Sequence, residues 1–183
     1  MKKLIMWNVM TLDGYFEGTN KWDLEFHNLV WGPELEKLSI EQLDQAEYLV
    51  FGRVTWEGMR DYWMKEKGEI ADRMNRIKKL VFSTTLESAD WNSTLIKANA
   101  SEELSKIKAQ ASGDLFLFGS ADLSQTFIED QLIDEYRIGI APIILGAGNP
   151  LFKSGTKPQN VILKSTLPLT GGGVVLFFER PAK

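Results

Sequence analysis

The chain has no cysteine and a single histidine, His27. The first absence removes disulfides, thiol nucleophiles and thiolate-held zinc or iron–sulfur centres. With one imidazole, zinc hydrolysis and a serine–histidine–aspartate relay lose their support, because both lean on histidine, and no metal site is expected. Long apolar runs are missing too. Nothing approaches the roughly 18 residues that a spanning helix requires, and the opening MKKLIMWNVMTLDG turns polar too soon for a secretory leader. These features predict no membrane association and a cytoplasmic location. The formal net charge is −4, which leaves no electrostatic footprint for nucleic acid. Chemistry must therefore rest on carboxylates, hydroxyls, main-chain amides, lysine or arginine, or a bound cofactor.

What is present is the composition of a globular chain, 44% hydrophobic and 25% charged over 183 residues. That length predicts one domain over residues 1–183, since domains hold about 100–200 residues. Periods of two and of 3.6 alternate along the sequence, as in an α/β protein. LIMWNVM (4–10) has the near-continuous apolar character of a strand buried on both faces. The loop TLDGYFEGTN follows. Ser39-Ile40-Glu41-Gln42 fits a capping box ahead of a short helix to about Ala46. Strands are expected at 48–51, 80–83, 94–98 and 115–119. Helices are expected at 55–63, from a cap at Ser101, and from a cap at Ser120 through Phe127. After Asp134 three strands follow without helices, around EYRIGIAPIIL, VILKSTLPL and GGVVLFFER, which suggests an antiparallel finish to a parallel sheet.

Two strand–glycine–helix junctions carry the first chemical signal, FGRVT at 51–55 and FGSAD at 118–122. Ligands of open α/β sheets sit at the carboxyl ends of strands, where a helix N-terminus offers unpaired amides to an anion. Gly52 lets a phosphate approach the backbone, Arg53 adds a forked cation, and Thr55 and Ser120 add hydroxyls. The plainer alternative is that both glycines turn the chain and Arg53 lies in solvent. Gly146-Ala147-Gly148-Asn149-Pro150 has no dinucleotide fingerprint and is expected to be a loop. Asp13, in an LDG turn, is a candidate proton donor or simply a turn residue. Tyr15, Phe16 and Trp22 belong to an aromatic cluster suited either to stacking on a flat ring or to the core.

TLDGYFEG, FGRVTWEG, KKLVFST, FGSADL and above all LIDEYRIGIAPIILGAGNPLF resemble the dihydrofolate-reductase-like group. Within it, the chain is most similar to the reductase domain at the C-terminus of bacterial riboflavin-biosynthesis deaminase-reductases. The resemblance runs from Met1 to about Arg180. It implies a three-layer α/β/α fold with a mixed, mostly parallel sheet that ends in an antiparallel hairpin. It also implies an NADPH site in which Gly52, Arg53 and Thr55 hold phosphates. Ser83 and Thr84 would lie near the adenosine ribose, and Gly119, Ser120 and Ala121 would cradle the pyrophosphate. By the same similarity, Asp13 and the loop bearing Tyr15, Phe16 and Trp22 would border nicotinamide and substrate. The implied activity is NADPH-dependent reduction of a small planar heterocycle, as in 5-amino-6-(5-phosphoribosylamino)uracil reductase. Folate or pteridine reduction and a non-catalytic ligand-binding protein are the alternatives. Asp23 or Glu25 is the rough positional substitute for the carboxylate of true dihydrofolate reductases. Lys21 and Lys153 are the scattered basic candidates for a phosphorylated substrate. A homodimer is expected, through an apolar surface including Ile138, Ile140 and Ile143 to Leu145.

Overall fold

A computed structural model describes residues 2–181. An eight-stranded sheet runs through the middle. Its strands are β1 (Leu4–Thr11), β3 (Ala46–Gly52), β4 (Lys78–Phe82), β5 (Ser93–Ile96), β6 (Asp114–Phe118), β7 (Glu135–Ala141), β9 (Ile162–Pro168) and β10 (Val174–Glu179). Their spatial order is β5-β4-β3-β6-β1-β7-β10-β9. The first six strands in that order pair in parallel, whereas β10 lies antiparallel to both β7 and β9. This is the mixed, mostly parallel sheet with an antiparallel finish that the sequence predicts. A second small sheet pairs β2 (Tyr15–Glu17) with β8 (Asn149–Pro150), so GAGNP runs from a loop into a short ladder.

Side chains of a strand alternate between faces, and β1 shows the consequence. Leu4 and Met6 join a core with Leu117 and Phe127 on one face, while Ile5 joins Phe51 and Trp56 on the other. Helices α4 (Ala100–Gln110) and α5 (Ala121–Glu129) cover the first face. Helices α1 (Pro33–Gln45), α2 (Arg53–Trp63) and α3 (Glu69–Arg76) cover the second. The three layers therefore follow from strands that are apolar on both sides.

Local signals misplace some boundaries. α1 begins at Pro33, not after Ser39, because proline's fixed φ and missing N–H suit a first helical position. Ser39 lies inside the helix and donates its hydroxyl to Leu35 O at 2.7 Å. The capping box is thus internal helix sequence. The cap of α4 is Asn99 rather than Ser101: its Oδ1 accepts the Ser101 and Glu102 amides at 3.1 and 3.3 Å. The sequence reading passes over α3 and over the 3-10 turn Glu25–Leu29. Ile138 is buried in the chain's own core, and Ile143 and Leu145 pack against another part of it. Of the apolar surface expected to pair two copies, these residues are used within one chain, whereas Ile144 is 69% exposed. No helix among the described residues is long and apolar enough to cross a membrane.

Candidate functional site

The carboxyl ends of β3 and β6 lie next to each other, and the helices that follow them open a cleft of about 560 Å3. Gly52, Arg53, Val54 and Thr55 line one wall, Ser120, Ala121, Asp122 and Leu123 another, and Ser83 and Thr84 the end beyond β4. Neither α2 nor α5 carries a side-chain cap, so the first-turn amides of both helices are left for a ligand. Arg53 and Lys153 supply cations to the cleft. Arg53 Nη1 donates to Glu57 Oε1 at 3.1 Å on the exposed face of α2, and Lys153 Nζ lies 3.3 Å from Asp122. Lys153 therefore lines this cleft. Lys21 sits 4.0 Å from Glu57 and lines neither cavity.

Part of the expected amide surface is already in use. Gly52 N donates to Ser120 Oγ at 2.7 Å, Ser120 N donates to Thr55 Oγ1 at 2.9 Å, and the two hydroxyls lie 2.8 Å apart. Gly119 N donates to Asn8 Oδ1 at 2.9 Å. Gly52, Gly119 and Ser120 thus tie the two junctions together, and the free amides belong to the helix turns after them. The geometry also corrects Ser120 as a conventional cap. It adopts a left-handed backbone with φ 55, as does Gly119, and its hydroxyl turns toward β3 instead of its own helix. A left-handed serine costs on the order of 1–2 kcal/mol, and Thr55 holds it there.

Behind the junctions lies a second, more apolar cavity of about 210 Å3. Trp7, Trp22, Trp31, Trp63, Phe16 and Phe118 contribute its aromatic walls, while Asn8, His27, Gln42 and Thr55 supply polar groups. Phe16, Trp22, Leu24 and Thr55 line both cavities and so form the wall between them. The Trp22 indole rests on helix α2 at Gly58, where an added Cβ would lie 1.8 Å from its Cζ2. Trp22 itself has φ 65, unusual for a bulky residue, and Glu17 Oε1 holds its amide at 2.7 Å.

Two buried polar atoms of residues that line this chamber lack partners. Asn8 Oδ1 is committed to Gly119 N, which fixes the amide, and the buried Asn8 Nδ2 has no hydrogen-bond partner. His27 Nε2 is likewise buried and unpaired. Loss of hydration pushes the His27 imidazole down to about 4, so it is neutral near pH 7. Buried polar groups are nearly always paired, so these two stand out. The sequence signal for Asn8 was visible: it is the one amide in the apolar run LIMWNVM.

Asp13 does not reach this chamber. Its carboxylate accepts Thr11 Oγ1 at 2.6 Å and the Leu145 and Gly146 amides at 3.2 and 2.7 Å. The Thr11 hydroxyl, followed by the Gly146 and Leu145 amides, holds Asp13 below the ordinary carboxylate range. It latches the loop after β7, and a carboxylate so stabilised makes a poor proton donor. Tyr15 lines neither cavity, its ring packing on Gly148 and its backbone pairing with Pro150. Asp23 packs against Gly18, and neither Asp23 nor Glu25 lines the chamber, so the carboxylate of the folate alternative is not supplied from there.

The sheet order and the paired cavities define a dihydrofolate-reductase-like domain. Residues 2–175 match the family described as RibD C-terminal domain. The chain belongs to that family, one of riboflavin-pathway-type reductase domains. It is 30% identical to the uncharacterized protein YyaP of Bacillus subtilis (strain 168), over 97% of this chain and 95% of that protein. Among solved structures, it superposes on a candidate riboflavin biosynthesis protein from Shewanella sp. PV-4 with a TM-score of 0.80 at 18% identity, each chain being covered fully. A deaminase and 5-amino-6-(5-phosphoribosylamino)uracil reductase from Thermotoga maritima gives a TM-score of 0.68 at 12% identity. That match covers 98% of this chain and 57% of the other.

Proposed function

We propose that the protein is an NADPH-dependent reductase of a small planar ring compound. The observation that carries this reading is the juxtaposition of two cavities across one aromatic wall, one lined by uncapped helix turns and cations and the other apolar. The larger cleft fits a dinucleotide. Arg53 and the first turns of α2 and α5 would hold its phosphates, with Ser83 and Thr84 near the adenosine ribose and Lys153 as a further cation. Bound NADPH supplies a hydride to the carbon of a C=N or C=O group. The chain's own contribution is to place that carbon beside the nicotinamide, keep water out with Phe16 and Trp22, and orient the ring through Asn8 and His27. No carboxylate, lysine, arginine or tyrosine side chain lines the ring chamber among the described residues, so the balancing proton comes from solvent once the reduced ring leaves the chamber.

A homodimer and a cytoplasmic location belong to the same proposal. Support for the dimer moves from the strand around Ile138 to β9, an edge strand with Ile162 and Leu163 each 50% exposed beside Val161.

NADPH titration followed by tryptophan fluorescence tests the reading. Saturable quenching is expected, weakened roughly tenfold or more by Arg53→Ala, the loss of a charge-assisted phosphate contact. Folding should be unaffected, because the exposed Arg53–Glu57 pair contributes less than about 0.5 kcal/mol. The absence of any response at millimolar NADPH would leave the non-catalytic ligand-binding alternative.

A further inference from the structure

The riboflavin-pathway pyrimidine carries a ribose phosphate, and the ring chamber is built for something else. Among the described residues, its wall contains no lysine or arginine. Behind Gln42 lies Arg137, whose Nη1 donates to Gln42 Oε1 at 3.1 Å and whose Nε donates to Glu135 Oε1 at 2.6 Å. That guanidinium is engaged and screened from the chamber by the amide it bonds. Arg53 and Lys153 both line the neighbouring cleft, where dinucleotide phosphates would use them. A phosphate dianion among Trp7, Trp31, Trp63 and Phe118 would lose its hydration without a counter-charge, which is strongly unfavourable.

Size and polarity narrow the occupant further. The chamber holds about 210 Å3, against about 150 Å3 for an engineered apolar cavity that admits benzene. One ring or a compact fused pair fits, with little space for a sugar. The two unpaired atoms set the hydrogen-bond pattern. Asn8 Nδ2 can only donate, so it requires an acceptor, while His27 Nε2 requires a second polar ring atom.

We infer, resting on the reductase reading, that the chamber takes an uncharged, phosphate-free compound of one or two fused rings. A ring carbonyl oxygen sits on Asn8 Nδ2 and a neighbouring polar ring atom on His27 Nε2. The substrate class thus departs from the phosphoribosylated pyrimidine while the hydride chemistry is kept.

Isothermal titration of the full chain without NADPH tests this with a matched pair, 5-amino-6-ribosylaminouracil and its 5′-phosphate, alongside the uncharged two-ring probe 6,7-dimethyllumazine. The lumazine is expected to bind and the phosphate ester to bind at least tenfold more weakly than its phosphate-free counterpart. Asn8→Asp keeps the acceptor for Gly119 N while removing the donor, and should weaken lumazine at least tenfold. His27→Gln, in the 3-10 turn Glu25–Leu29, provides a second variant should Asn8→Asp fold poorly, with a smaller loss expected. Equal or tighter binding of the phosphate ester would overturn the inference, as would lumazine affinity indifferent to both variants. If NADPH quenches fluorescence but no ring probe binds, the substrate class is wrong and the reductase reading stands. If ring probes bind as expected and NADPH does not, the reductase reading fails and the chamber's preference holds.

Discussion

Gly58→Ala tests the site apart from the fold. Gly58 lies inside α2, where alanine is preferred over glycine by roughly 0.5–1 kcal/mol because it has less backbone freedom to lose. The new Cβ, however, would fall 1.8 Å from Trp22 Cζ2 and 2.0 Å from Cε2. Carbon atoms in contact stay about 3.5–4.0 Å apart, so the indole must withdraw by roughly 2 Å. Trp22 cannot do so and still wall off the ring chamber from the cleft. A lost aromatic contact of about 0.5–1.5 kcal/mol weakens NADPH roughly two- to twelvefold. Misplacement of reacting groups by an ångström costs turnover on the order of a hundredfold. Thermal unfolding and NADPH titration on the same preparation form the assay. The melting temperature should stay within about 4 °C of the parent while NADPH quenching shifts to higher concentration. Parental NADPH affinity together with an unchanged Trp22 signal would refute the placement of this indole as the dividing wall. A collapse in stability would show that the Trp22 loop matters more to folding than to binding.

Ser120→Ala removes the acceptor of the Gly52 amide and one hydroxyl partner of Thr55. A cost of about 1–3 kcal/mol is expected, read as a fall of roughly 2–4 °C in melting temperature per kcal/mol. His27 makes stability depend on acidity. Its folded-state value of about 4 lies below the ordinary 6.5. The unfolded chain therefore binds the extra proton between those values, and the contribution is complete above pH 6.5 and lost as pH falls toward 4. Denaturant titrations at pH 7 and pH 4 should differ by up to about 3 kcal/mol more in the parent than in His27→Gln. Light scattering should return twice 20.8 kDa, falling to the single-chain value when Ile162 and Leu163 are replaced by lysine, which charges an exposed strand edge.

Much of the architecture was legible because it is written locally. Continuous apolar runs at 4–10, 48–51 and 115–119 could only be strands covered on both faces, and the helix-free stretch after Asp134 implied the antiparallel end. Where local signals compete, the reading slipped. Ser39 resembles a cap, yet Pro33 had already begun the helix; Ser101 resembles one too, but Asn99 stands closer to the turn. The two glycine junctions were correctly singled out as a pair, since each is a strand end followed by a helix start. That their hydroxyls and amides would bind each other was not visible, because Gly52 and Ser120 are 68 residues apart and only the β3–β6 pairing joins them.

The chain by itself thus determined that two strands end on glycines before helices, and that thiol chemistry is excluded. Which polar atoms are left unpaired was decided only by tertiary packing. Asn8 and Gly119 meet across 111 residues, and that single bond fixes the Asn8 amide with its nitrogen buried and unpaired. Asp13, a credible acid in sequence, is instead taken by the amides of a loop 132 residues away. Hydrogen-bond satisfaction is a property of neighbours in space, so long-range strand pairing settles which side chains stay free for a ligand.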